Sequence, residues 1–372
     1  MPKIAYFDNS GTTAVAKEVL DEMIPFFSEK YGNPSSIHAM GDAAAAAVSG
    51  ARKKVAAALG CMPSEIIFTS GGTEADNLAL MGFSSEKKKV ITSAVEHSAI
   101  LETCERMRPS GYDVRILPVD RDGRVSASDL MKVIDKNTAL VSVMTANNVI
   151  GTIQPVAELA KIAHEHGALF HTDAVQAFTK TDIDIANIDM LSISGHKIHG
   201  PKGIGALYVR NGVDLRATML GGGQEYGRRS STENVPGIVG LGKAAELAVS
   251  TMRQDIARMT RLRDTMIDGI LTIKGSYLNG PTDGRLCNNA HFGFGGIKGN
   301  DLVLALSKMN IMASAASACS AGSTEPSHVM TAIGRSPKEA LSSLRISSSR
   351  YTTDDEAEHL LTSLPKALAS LR

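Results

Sequence analysis

The stretch SISGHKIHGPKG, residues 192–203, sets His196, Lys197, His199 and Lys202 among small residues directly after a strand-length apolar run. A turn needs only Gly, Pro and Ser, so the bulky titratable groups ask for another reason. An amine held at partial burial beside other positive charge loses its proton and becomes a nucleophile, which makes Lys197 a candidate for covalent chemistry. TDAVQAF adds Asp173 and Gln176. A carboxylate at the end of a buried strand carries a large desolvation cost, so Asp173 needs a cation. In FTSGGTEADN, Ser70, Gly71, Gly72 and Thr73 precede a helical pattern; free N–H groups there, with a hydroxyl alongside, suit an anion such as phosphate. VEHSAI places His97 just before another helix, and TANNVIG places Asn147 and Asn148 at the end of another strand-like run. Taken singly, each has a plain account: a capped turn, a satisfied histidine, asparagines bonding their own backbone, a solvated turn lysine.

Taken together they are harder to explain away. A phosphate cradle, a buried acid, an imidazole, an amide pair and a lysine, with Ser194 and His196 beside it, match what pyridoxal 5'-phosphate requires. Lysine forms the covalent link and the acid keeps the pyridine nitrogen protonated. At about 4 Å and an effective dielectric near 20, Asp173 would gain on the order of 4 kcal/mol from that pyridinium. Cysteine usage adds a second nucleophile. Cys104 shares a helix face with Ile100 and Met107 and reads as a small buried hydrophobe. Cys319, in SASACSAGS, has no apolar periodicity around it, and small residues favour an exposed loop that could carry a thiol to a substrate.

These residues need a scaffold that brings strand ends together. Apolar, β-branched runs at 66–69, 90–92, 114–117, 139–144, 168–171, 190–194 and 205–209 are of strand length. Helical patterns such as EADNLALMGF and PVAELAKIAHEHG lie between most of them, the second closed by Gly167. Alternation of this kind predicts an α/β fold with a mostly parallel sheet flanked by helices, whose ligands sit beyond the carboxyl ends of the strands. After Gly221 the pattern changes to one long helical stretch over 236–271, then mixed strand and helix signals; Thr353 and Glu356 have capping-box spacing. The expectation is a large domain over 13–250 and a second, smaller α+β domain formed by 1–12 and 251–372. The run of alanines at 43–47 reads as close helix packing.

The totals narrow the function. With 372 residues the chain can bury two cores, and Lys plus Arg equals Asp plus Glu at 39 each, so no basic excess points to nucleic acid. No basic leader precedes an apolar stretch and no apolar run is long enough to span a bilayer, which predicts a cytoplasmic protein without membrane contact. The four cysteines lie far apart with no CxxC pair, which fits neither a metal site nor a disulfide framework.

The motifs YFDNSGTT, YGNPSSIH, FTSGGTEADN, VEHSAI, NNVIGTIQP, HTDAVQA, SGHKIHGPKGIGALY, GGGQE, STENV, SACSAGSTEPSHV and LRISSSRYTTDDE run almost the length of the chain. In order and spacing the sequence resembles the cysteine desulfurases of the class V aminotransferase superfamily. The resemblance implies a fold-type I pyridoxal-phosphate transferase with a seven-stranded sheet, acting on L-cysteine to give L-alanine and a persulfide on Cys319. It implies that Lys197 bonds the cofactor, Asp173 meets the pyridinium and His97 stacks on the ring as acid or base. Gln176 and Asn148 match contacts to the ring's oxygen and edge, while Gly72, Thr73, Ser194 and His196 match the phosphate site. Thr232 matches a residue that reaches the phosphate across a homodimer interface, Arg350 the grip on the substrate carboxylate, and Asn33 belongs to a loop near the substrate. The longer cysteine loop resembles the subgroup that hands sulfur to an iron–sulfur scaffold or a tRNA-thiolation enzyme.

Three positions depart from the family pattern: Val149 where glutamate is common, Ser231 where glycine often precedes the threonine, and His199 where tyrosine is frequent. The chain stops at Arg372, short of the tail by which some relatives dock a scaffold, which leaves such docking open. Selenocysteine lyase or another class V enzyme is the rival within the same chemistry, and predicts activity that survives loss of Cys319. A non-catalytic assembly partner is the rival outside it, and would not need Lys197, Asp173, His97, Cys319 and Arg350 together.

Overall fold

A computed structural model describes residues 4–315 and 326–372. A short strand, β1 (Ala5–Tyr6), is followed by the seven strands of the main sheet: β2 (Ile66–Thr69), β3 (Lys89–Ser93), β4 (Asp113–Leu117), β5 (Thr138–Ser142), β6 (Leu169–Asp173), β7 (Met190–Ser194) and β8 (Gly205–Val209). Their spatial order is β2-β8-β7-β6-β5-β3-β4. Strands β3 to β7 pair in parallel, and β8 alone runs against its neighbours β2 and β7. Every residue of β5, β7 and β8 is buried, because helices cover both faces; that is why these strands read as continuous apolar runs rather than alternating ones.

The helices are α1 (Lys17–Met23), α2 (Pro25–Ser28), α3 (Ala39–Leu59), α4 (Gly72–Gly82), α5 (Ser98–Met107), α6 (Ala127–Val133), α7 (Val156–Glu165), α8 (Val235–Ser250), α9 (Met252–Leu271), α10 (Gly299–Ser307), α11 (His328–Ala332), α12 (Pro337–Leu341) and α13 (Asp354–Ala369). Helix α7 ends where Gly167 takes the left-handed φ of 66°, and α13 starts on a capping box formed by Thr353 and Glu356. The alanine-rich α3 lies against α8 so closely that a Cβ on Gly242 would sit 2.7 Å from Ala51 Cα. The long helix expected over 236–271 is two: Thr251, at φ −121° and ψ 6°, ends α8 and begins α9. Its hydroxyl donates to Asp255 at 2.6 Å, a local bond that rivals the helical ladder and lets a threonine break a helix without Gly or Pro.

A second core lies apart from the first. Strands β9 (Ser276–Asn279), β10 (Asn289–Phe294) and β12 (Ser343–Ser347) form an antiparallel sheet in the order β12-β10-β9, and β1 pairs in parallel with β11 (Ile311–Met312). Phe292, Leu344 and Ile346 pack there with Leu262 and Met266 of α9 and Leu360 and Leu364 of α13. Ala5 and Phe7 belong to this core too, so the first residues of the chain fold with its last hundred. No helix among the described residues is long and apolar enough to cross a membrane.

Candidate active site

The carboxyl ends of the central strands deliver their polar residues to one cavity of about 320 Å³. Gly72 and Thr73 reach it from the start of α4, His97 from the start of α5, Asn148 from the loop after β5, Asp173 and Gln176 from the end of β6, and Ser194, His196 and Lys197 from the end of β7. Nine residues singled out in the sequence thus line one space. The antiparallel β8 contributes a close approach: a Cβ on Gly205 would stand 2.6 Å from Ile193 O and 2.8 Å from Gly71 Cα, so only glycine lets the loop before α4 close against β8. Gly72 is equally constrained, since a Cβ there would meet Val175 Cγ2 at 2.6 Å.

Each reactive group is held by named bonds. Lys197 Nζ donates to the carbonyls of Ser10 and Gly11 at 2.6 Å each. Gln176 Nε2 donates to the same Ser10 carbonyl at 2.9 Å, while Gln176 Oε1 is buried with no hydrogen-bond partner among the described residues. His97 caps α5: its Nδ1 accepts from Ala99 N–H at 3.1 Å, which puts the proton of a neutral ring on Nε2. Asp173 is 6% exposed and accepts from Val175 N–H at 2.8 Å. Burial raises its carboxyl above the usual range, and the Val175 amide, His97 and Lys197 pull it back.

Two more acids lie beneath. Asp76, on the buried face of α4, is pushed well up by burial and by Asp173 beside it; its Oδ1 lies 3.7 Å from His171 Nε2 and has no hydrogen-bond partner among the described residues. Glu96 is pushed up to about 8 by burial, against hydrogen bonds from Ser93 Oγ at 2.6 Å and Met144 N–H at 3.0 Å. Like charges cannot all persist at close quarters away from water, and of the three acids Asp173 is the one with cations beside it. Burial, helped by Lys197, Lys202 and Lys180, drives His196 down to about 4, which makes it a neutral imidazole near pH 7; its Nδ1 lies 3.1 Å from Thr12 Oγ1.

Three predicted site residues do not line this cavity. Arg350 borders a smaller space next to it, shared with Lys197, Lys180 and Asn288, and its guanidinium is engaged by Asp255 at 3.0 Å and by the Thr251 hydroxyl. Thr232 lines a separate pocket with Ser70, Gly203 and Arg229. Asn33 is exposed and caps its own loop, accepting from Ser35 N–H at 2.9 Å. Asn147, the other half of the amide pair, is structural: it donates to Val95 O and accepts from the amides of Val149 and Ile150. Cys319 lies outside the described residues.

The departures have physical accounts. Val149 is buried in a small apolar cluster with Val95, Val329 and Ile333. His199 takes a left-handed φ of 64°, donates its main-chain N–H to Thr13 Oγ1 at 2.9 Å, and packs edge-on against Tyr351 with its Nδ1 2.9 Å from Ala14 O. Ser231 sits at φ 119°, where glycine is at ease and a side chain is not. The sequence reading missed Asp76, because an acid within a helical motif looks like surface, and it missed the Ser10 and Gly11 carbonyls, because main-chain acceptors leave no residue-type signal. Lys180 was also missed; it is buried, donates to Gln176 O at 3.2 Å and is pushed down to about 8 by burial.

Comparison with known proteins shows what the chain as a whole is similar to. The family profile described as aminotransferase class V matches residues 5–360. A protein named cysteine desulfurase IscS from Methanosarcina thermophila is 47% identical, the match spanning 100% of this chain and 93% of that one. Another of the same name, from Dictyoglomus turgidum, is 45% identical over 100% and 96%. Among solved structures, a NifS-like protein superposes with a TM-score of 0.93 at 40% identity, covering 99% of this chain and 100% of that one. A structure described as SspA in complex with cysteine gives a TM-score of 0.82 at 40% identity over 94% and 99%.

Proposed function

The chain belongs to the class V aminotransferase family, whose members are pyridoxal-phosphate enzymes, and from that premise we propose that it is a cysteine desulfurase: it converts L-cysteine to L-alanine and passes the sulfur to Cys319 as a persulfide. The observation that carries the reading is the single cavity in which Lys197, Asp173, His97 and the N-terminus of α4 meet. The residues fit the cofactor. A glycine-only approach at Gly72 leaves the first turn of α4 open to an anion, and the orphaned Gln176 Oε1 marks a polar partner still to be met.

Gly72, Thr73, Ser194 and His196 would hold the phosphate, Asp173 the protonated ring nitrogen, His97 the ring face, Gln176 and Asn148 its oxygen and edge, and Lys197 the covalent link. When bound, the cofactor supplies an electron sink for charge at the substrate Cα. Lys197 moves the Cα proton, its amine set at the cavity by the Ser10 and Gly11 carbonyls. Arg350 grips the substrate carboxylate as a planar two-pronged donor, with Asn33 near the substrate. Thr232 from a second copy completes the phosphate site in a homodimer. The large domain is 13–250, and the small domain, 1–12 with 251–372, carries the cysteine loop and Arg350. We place the enzyme in the cytoplasm, where it hands sulfur to an iron–sulfur scaffold or a tRNA-thiolation enzyme.

The test is direct. Protein loaded with pyridoxal phosphate should show a visible absorbance band that borohydride abolishes, with the cofactor then found on the Lys197 peptide by mass spectrometry. With L-cysteine and a thiol reductant it should release alanine and sulfide in equal amounts. Cys319→Ser should keep the band and lose the sulfide; undiminished turnover in that variant ends the role of Cys319, and no alanine from the unaltered protein ends the reading.

A further inference from the structure

The floor of the cavity belongs to the main sheet, but two of its walls are tied to one residue of the other core. Arg345 lies in β12 and is 3% exposed. Its guanidinium forks: Nη1 donates to Asn148 O at 3.1 Å and Nη2 to Asp8 Oδ1 at 2.7 Å. The same Asn148 carbonyl accepts from Asn289 Nδ2 of β10 at 3.3 Å. Asp8 opens the turn that carries Ser10 and Gly11, its carbonyl accepting from Gly11 N–H at 3.0 Å and Thr12 N–H at 3.3 Å. The carbonyls of Ser10 and Gly11 are the ones that hold Lys197 Nζ. One buried guanidinium therefore touches both the loop that presents Asn148 and the turn that receives the reactive amine.

Core stability is a poor explanation for this residue. Its partner Asp8 is part-exposed, so the pair gains modestly, while burying the guanidinium carries a desolvation cost, and Arg345 Nε has no hydrogen-bond partner among the described residues, a further cost left standing. What only arginine offers is a rigid fork that fixes two acceptors relative to each other; lysine brings a single point charge. We infer that Arg345 is a positioning residue for the proposed desulfurase reaction, holding the Asn148 wall and the Ser10–Gly11 turn at a set separation across the cavity. The inference rests on that functional reading.

Three variants of the full-length protein test it, each checked first for its melting temperature, with kinetics read on the cofactor-loaded form and cofactor capture on the apoprotein. Arg345→Lys keeps a positive charge opposite Asp8 and loses the arm to Asn148; kcat/KM for L-cysteine should fall about tenfold, mostly through KM, with the visible band in place. Asp8→Asn loosens the other arm; apoprotein carrying it should capture pyridoxal phosphate on Lys197 severalfold more slowly, with KM near the unaltered value. Arg345→Met removes both arms and should show both losses. A role in folding alone would lower the melting temperature without dividing the defects in this way. Unaltered kinetics in folded Arg345→Lys or Arg345→Met, or equal changes in KM and capture rate in all three, would overturn the inference. If the unaltered protein makes no alanine, it is the desulfurase reading that fails, and the capture rate of Asp8→Asn still decides whether this arm positions Lys197.

Discussion

The two cations on which the proposed reaction depends are held in opposite ways. Lys197 rests on two neutral main-chain carbonyls inside the cavity, whereas Arg350 sits at its border, paired with the Asp255 carboxylate at 3.0 Å and with the Thr251 hydroxyl. A hydrogen bond to a charged, half-buried partner is stronger than one to a neutral acceptor. The reactive amine is therefore set in place by main-chain acceptors, and the recognition end is engaged by a carboxylate until a substrate carboxylate competes for it. The difference follows from the fold: Lys197 projects from the rigid edge of the main sheet, Arg350 from a turn between β12 and α13 that leans on the break between α8 and α9.

Replacing Lys197 should do the most damage. Lys197→Ala removes the only amine that lines the larger cavity among the described residues, and cysteine turnover should drop by at least ~10³-fold, measured as alanine released; an unimpaired variant would break the contrast at its strong end. Arg350→Ala should raise KM for L-cysteine roughly a hundredfold, about 3 kcal/mol, while the cofactor band is unchanged, because Arg350 does not line the larger cavity.

A pH experiment sharpens the rigid side. With Glu96 pushed up to about 8, the folded chain keeps a proton that the unfolded chain gives up near the ordinary carboxylate range, so Glu96 costs stability as pH rises from about 4.5 to 8. Glutamine does not titrate. The unfolding free energy of Glu96→Gln relative to the unaltered protein should therefore improve by roughly 2 kcal/mol between pH 6 and 7.5, read from denaturant melts at each pH. The smallest effect concerns the engaged cation: Asp255→Asn weakens the competing partner, and KM should fall severalfold, on the order of 1 kcal/mol. A KM that rises instead would mean that Asp255 orients Arg350 rather than competes for it.

The same contrast explains what the sequence could disclose. Polar residues at the ends of buried strands are conspicuous, since water is absent and a reason for them must exist; Asp173, His97 and Lys197 were legible for that cause. The mostly parallel sheet followed from alternation and the cap at Thr353 from its spacing, whereas the spatial order of the strands and the reversed β8 depend on pairings that no local pattern carries. Arg350 stands in a serine-rich turn that any surface arginine could occupy, so only the family resemblance pointed to it. The break at Thr251 was illegible because it uses neither Gly nor Pro and draws on a tertiary partner, Arg350, 99 residues away. Asp76 hid within a helix motif, and Arg345 within a strand, where an inward charge is visible only once the neighbours are known.

The opening turn of the chain is fastened by its far end: Ser10 N–H donates to Ser347 Oγ at 2.8 Å, 337 positions away, and Asn9 Nδ2 to Ser347 O at 2.9 Å. On the ribosome the N-terminal residues emerge first and wait for almost the whole polypeptide before their clasp exists. A nascent chain can thus complete the main sheet and still lack the ledge for its reactive lysine, so premature termination a few dozen codons early would yield a nearly full-sized protein that is unable to start its own chemistry.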